Sequence, residues 1–176
     1  MSLHVWRHPK PIGALGLCLG RTDLPVDRRK AKRLAHRIRA HARRHLLARH
    51  VVTSRLQRSA AVGRVLAHWG WRHTVDAQLD EFDFGAWDGQ PWAGLAPDEL
   101  EAWSEDFADH HAGGGESVRT LLQRCRAFMA EQDECCIVGH AGWISGACWL
   151  QAHSHDMPRA STWPAAVGYG RHVALG

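Results

Sequence analysis

The sequence contains no uncharged apolar run of roughly 18 residues, so no segment has the length of a membrane-crossing helix. The opening, MSLHVWRH, lacks the apolar stretch of a secretory signal, and the expected location is cytoplasmic. No two cysteines have the C-x-x-C spacing, and their number is odd: Cys18, Cys125, Cys135, Cys136 and Cys148. A disulfide framework is therefore not expected. Cys135 and Cys136 are adjacent in an apolar run and read as small strand residues. The 14 histidines include no H-E-x-x-H motif and no Cys/His knuckle. No metal ligand and no cofactor is assigned on that basis. Repeats, low-complexity tracts and linkers are also missing. The 176 residues read as one domain, 1–176, long enough to bury a sizeable core.

Acid is scarce where base is dense. Residues 1–50 hold 13 Lys/Arg against only Asp23 and Asp27, and residues 73–118 hold 12 Asp/Glu with no Lys or Arg. A basic block from Arg28 to Arg49 would suit nucleic acid. Its apolar positions, however, are Ala31, Leu34, Ala35, Ile38, Ala42 and Leu46, which recur at helical spacing. We read it as an amphipathic helix with a solvated basic face, whose field would also attract a small anionic substrate.

Strand and helix patterns alternate. Strands are expected at Leu3–Arg7, His50–Thr53, 73–77, 134–139 and 166–174, the last antiparallel at an edge. Helices are expected at 27–47 (capped by Asp27), 56–69, 97–110, 117–131 and 142–151, with a long loop over 8–25. This order implies an α/β fold: a three-layer α/β/α sandwich around a mostly parallel sheet. Ligands of such folds bind at the carboxyl ends of strands.

Several segments of chemical interest fall there. Arg7-His8 ends the first strand: a guanidinium fork suited to phosphate oxygens, then an imidazole that can act as nucleophile or base. Arg58, in Ser54-Arg55-Leu56-Gln57-Arg58, sits near a helix N-terminus, a place for arginine that makes sense if an anion joins it. The stretch from Glu81 to Gly89 mixes aromatics, acids and glycines. A carboxylate in that setting could serve as a proton donor, with Asp80, Asp83 and Asp88 as rivals to Glu81. His140, between Gly139 and Ala141, ends another strand among small residues that permit close approach of a ligand.

These segments, with Gly114-Gly115-Glu116-Ser117, resemble the signature of the histidine phosphatase superfamily, the phosphoglycerate mutase-like proteins. The resemblance covers residue 3 to about residue 150. It implies a phosphoglycerate mutase-like fold and a phosphomonoester hydrolase that works through a phosphohistidine. His8 would be the nucleophile and Glu81 the proton donor. Arg7, Arg58 and a cationic His140 would hold the phosphate. The run from Arg7 to Pro25 is similar to the opening of alpha-ribazole phosphatases of cobalamin synthesis, which makes Gly20 and Arg21 candidates for substrate binding. Arg21 could equally pair with Asp23 or with the acidic block. Three positions depart from the wider family: Pro9 follows the nucleophile, Arg55 follows Ser54, and no asparagine stands near Ala14.

The partner implied is a small phosphomonoester, with neither nucleic acid nor membrane, and there is room for a homodimer. A broad-specificity or sugar-phosphate phosphatase would use the same residues. A more distant alternative is an inactive anion- or nucleic-acid-binding relative. Trp87, Trp92, Trp103 and Trp143 could wall the site, but we read them as filling the core beneath the Glu81 loop.

Overall fold

The computed structural model describes residues 2–153 and 156–176. It contains five strands in one sheet, ordered β3-β2-β4-β1-β5. They are β1 (Leu3–Arg7), β2 (His50–Thr53), β3 (Arg72–Val75), β4 (Cys136–Gly139) and β5 (His172–Leu175). All neighbours are parallel except β5, which runs antiparallel to β1 at the edge. The α-helices are α1 (Arg28–His45), α2 (Gln57–His68), α3 (Pro97–Glu105), α4 (Val118–Glu131) and α5 (Ala141–Ala152). No helix among the described residues is long and apolar enough to cross a membrane.

Alternation along the strands divides the core in two. Trp6, Val51, Cys136 and Val138 pack on one face against Ala31, Leu34 and Ile38 of α1 and Val62 and Leu66 of α2. Leu3, Val5, Val52 and Ile137 pack on the other against Leu121, Leu122 and Phe128 of α4 and Ile144 and Ala147 of α5. The sheet is thus sandwiched, as the alternating pattern predicts. Trp87 and Trp143 are buried and Trp103 packs against the same core, while Trp92 is 37% exposed.

Local chemistry explains the helix ends. Asp27 caps α1 by accepting from the amides of Arg29 and Lys30, as expected. Ser117 caps α4 through the amide of Thr120. Leu46 departs from its expected buried place: it is 91% exposed, in a left-handed conformation with φ 57°. That conformation ends α1 at His45, two residues before the expected end, and turns the side chain off the buried stripe. The strand expected over 134–139 starts at Cys136, and two expected elements are shorter by four residues or more. The helix predicted over 97–110 stops at Glu105, where Asp106 leaves helical geometry and Phe107 turns into the core. The strand predicted over 166–174 begins only at His172, because the Val167 carbonyl is taken by the Arg7 side chain and the chain turns at Gly170, in left-handed geometry at φ 66°.

Candidate active site

β4 lies between β1 and β2, so the carboxyl ends of these three strands are adjacent. Their next residues supply His8, the Ser54–Arg58 turn and His140. The helices after β2 and β4 lie on opposite faces, which leaves a crevice at this end of the sheet. The amide of His8 donates to the Gly139 carbonyl at 3.0 Å, carrying the β1–β4 ladder one residue further. The His8 and His140 rings then lie 4.9 Å apart between centroids.

His8 is buried, and its Nδ1 is 2.7 Å from the carbonyl oxygen of Pro9. A carbonyl only accepts, so Nδ1 carries the proton and Nε2 keeps its lone pair. Burial holds the His8 pKa well below its ordinary 6.5, helped by the charges of Arg58 and Arg7 and opposed by the Pro9 carbonyl. The imidazole is neutral across the physiological range, the state a nucleophile requires. Pro9 lacks an amide N–H, but its carbonyl orients the ring.

Arg58 is almost fully buried. Its Nε donates to His140 Nδ1 at 3.3 Å, its Nη1 to the Thr22 carbonyl at 2.7 Å and its Nη2 to the Gly20 carbonyl. Three of the five N–H groups are so used, and two stay available to an anion. Arg7 donates from Nη1 to the Val167 carbonyl at 2.7 Å, while its buried Nε has no partner among the described residues. An orphaned donor on a guanidinium is a costly feature that an acceptor anion would relieve. The Arg7 guanidinium lies 3.8 Å above the centre of the Tyr169 ring, and that ring lies 5.6 Å from His8.

His140 corrects one expectation. Its Nδ1 accepts from Arg58, so its Nε2 carries the proton and donates to Ser54 Oγ at 2.6 Å. Burial, followed by the charges of His8 and Arg58, keeps its pKa well below 6.5. Among these neighbours the ring is neutral, not cationic, because it is sealed from water and two arginines already crowd it.

The rival acids separate by their partners. Asp80 is buried and bound by Arg55 through two nitrogens and by Arg21 at 3.1 Å. Asp88 accepts from the amides of Gly20 and Thr22 at 2.8 and 2.6 Å. Asp83 accepts from the amide of Gly85 at 2.9 Å. Glu81 is buried, and among the described residues no arginine side chain bonds its carboxylate, whose oxygens accept from the amides of Phe82 at 2.9 Å and Gly142 at 3.2 Å. Gly142 is needed for this approach, since a Cβ there would lie 2.6 Å from Glu81 Oε1.

The structure brings together His8, Arg7, Arg58, Glu81 and His140. It engages Gly20 and Arg21 otherwise. The Gly20 carbonyl holds Arg58, and a Cβ at Gly20 would lie 2.3 Å from the Phe82 carbonyl oxygen. Arg21 spans to the Glu81 carbonyl and to Asp80, the pairing with the acidic block that stood as its alternative. Ser54 and Tyr169 were not singled out from the sequence. Ser54 was legible as the first residue of its motif. Tyr169 reaches the site from a C-terminal loop far away in the chain, and no local pattern marks it.

No curated protein matches the chain significantly in sequence. Among solved structures, the chain is similar to a phosphoglycerate mutase from Thermus thermophilus, at 26% identity and a TM-score of 0.71 over 99% of this chain and 92% of that one. It is also similar in fold to the mycobacterial glucosyl-3-phosphoglycerate phosphatase in native form, at 23% identity and a TM-score of 0.78 over 99% and 89%. The complex of that phosphatase with VO3 gives 24% identity and a TM-score of 0.79 over 99% and 92%. The model of the histidine phosphatase superfamily, branch 1, matches residues 3–170, which include every site residue described above. The chain belongs to the histidine phosphatase superfamily.

Proposed function

We propose that the chain is a phosphomonoester hydrolase that transfers the phosphoryl group through His8. One observation carries this reading: a buried, neutral His8 whose Nδ1–H is held by the Pro9 carbonyl, so that Nε2 offers its lone pair among Arg7, Arg58 and His140. Nε2 attacks phosphorus in line and the ester P–O bond breaks. Glu81, protonated, gives its proton to the leaving alkoxide. The phosphohistidine carries positive charge on the ring, which the Pro9 carbonyl stabilises. Glu81, now a carboxylate, takes a proton from water as the oxygen attacks phosphorus and the P–N bond breaks. Arg7 and Arg58 neutralise the charge spread over the equatorial oxygens, with His140 as a hydrogen-bonding partner set by Ser54.

The proposed substrate is alpha-ribazole 5′-phosphate, on the likeness of the loop from Arg7 to Pro25 to alpha-ribazole phosphatases. The test has two parts. Acid quenching of the wild-type reaction should trap acid-labile phosphate on His8, and His8→Ala should abolish turnover; wild-type turnover in that variant would refute the scheme. A panel at equal concentration should rank alpha-ribazole 5′-phosphate above cobalamin 5′-phosphate, 3-phosphoglycerate, fructose bisphosphate and simple nucleotides. A flat response would assign a broad-specificity phosphatase instead.

A further inference from the structure

A second group of histidines lies on the β1–β5 side of the sheet. His4 of β1, His41 of α1 and His172 of β5 each place one ring nitrogen within 4.8 Å of the other two. His41 Nε2 is 3.0 Å from His4 Nδ1, and His172 Nε2 is 3.4 Å from the same atom. An imidazole nitrogen has one in-plane position, holding either a proton or a lone pair. His4 Nδ1 therefore cannot make a good hydrogen bond to both neighbours. Three nitrogens converge where hydrogen bonding serves only two.

We propose that His4, His41 and His172 bind one divalent transition-metal ion of the imidazole-preferring class, Zn²⁺ foremost. Nitrogens on a tetrahedral Zn²⁺ with bonds of about 2.0–2.1 Å stand about 3.3 Å apart. The two separations at His4, 3.0 and 3.4 Å, bracket that figure, and the third pair lies within 4.8 Å. Three protein ligands leave one tetrahedral position for water.

The surroundings select the metal. A cleft of about 350 Å³ lined by Trp6, Arg37, His41, Arg44, Arg171 and His172 gives access from solvent. Its arginines repel a bare cation, so affinity must come from the imidazole bonds. That favours Zn²⁺, and Co²⁺ as its probe, over Mg²⁺ or Ca²⁺, which want oxygen ligands. Burial is the leading cause that lowers the basicity of all three rings, His41 to about 4, and the charge of Glu134 opposes it at His4. The ion would tie α1 and the edge strand β5 to β1. The site is separate from the phosphate site.

The test uses tag-free, metal-stripped full-length protein. Titration with Co²⁺ should give the visible bands of a tetrahedral ion, saturating at one equivalent and lost on adding Zn²⁺. Free Zn²⁺ at a hundredfold excess over its Kd should raise Tm by roughly 5–10 °C. His41→Gln and His172→Gln should each lose the bands and the shift while keeping the wild-type circular dichroism; the pair is chosen because buried His4 bears on folding. Absent bands in the wild type, bands unchanged in both variants, or a sulfur-to-metal charge-transfer band would each overturn the proposal. Nitrophenyl phosphate turnover in chelator should match the wild type in both variants. Loss of turnover in His8→Ala with the Co²⁺ bands intact separates the two sites.

Discussion

Two clusters of histidine are tied to strand β1, one through His4 within it and one through His8 just after it, and their neighbours make them different. His8 and His140, at the carboxyl end of the sheet, are boxed in by Arg7 and Arg58 and each has a ring nitrogen fixed by one hydrogen bond. His4, His41 and His172, on the edge side, face one another together with the rings of Trp6 and His45. Burial is the leading cause of lowered basicity in both. In the first cluster the fixed positive charge favours an incoming anion. In the second the unshared lone pairs favour an incoming metal. The residue type is the same, and the adjacent charges decide the chemistry.

The comparison breaks most sharply at His8. His8→Ala should lower turnover by roughly 10⁴-fold or more, measured as phosphate release, whereas His41→Gln should leave it unchanged. Glu81→Gln should cost about 10²–10⁴-fold on alkyl phosphates. Its effect on nitrophenyl phosphate should be smaller, since that leaving group needs little protonation. An equal loss on both substrates would remove Glu81 from the first step.

Asp80→Ala probes the acid beside it through stability. It leaves Arg21 and Arg55 without their shared buried carboxylate and should cost about 2–3 kcal/mol in denaturant unfolding, discounted for the exposure of both arginines. If Asp80→Ala instead matched Glu81→Gln in kinetics, with folding intact, the division between a structural and a catalytic acid would fail.

The pH response sharpens the contrast more gently. The folded pKa values of His8 and His140 lie below the ordinary 6.5, so below that pH the unfolded chain binds protons that the folded chain refuses. Stability present above about pH 6.5 is lost progressively as pH falls toward the folded values. The acid limb of kcat/KM should accordingly lie below 6.5. The smallest expected change is at His41, lowered to about 4. In chelator, His41→Gln should slightly flatten the fall in Tm between pH 6.5 and 4, and a steeper fall would contradict the assignment.

Much of this was legible in the residues. Leu3–Arg7 and His50–Thr53 are strands with the expected bounds, because short runs of apolar and β-branched residues bounded by breakers specify extended chain without tertiary help. The amphipathic stripe of α1 and its Asp27 cap were visible for the same local reason. Arg7-His8, Arg58, Glu81 and His140 stood out because their types and order match a family signature. Fates set by distant partners were not legible. Leu46 had the right spacing, yet the chain reverses there into left-handed geometry. Residues 166–171 looked like strand, but the Arg7 side chain takes the Val167 carbonyl and the chain turns at Gly170.

The sequence alone determined the alternation of strands and helices and the places of the candidate residues His8 and His140 just past strand ends, since each rests on a few neighbouring residues. Only the tertiary structure decided that Asp80 is sealed by arginines while Glu81 is not, that His140 is neutral, and that His4, His41 and His172 meet. Those outcomes depend on burial and on charges brought close from far along the chain, and no local spacing encodes a distance in space.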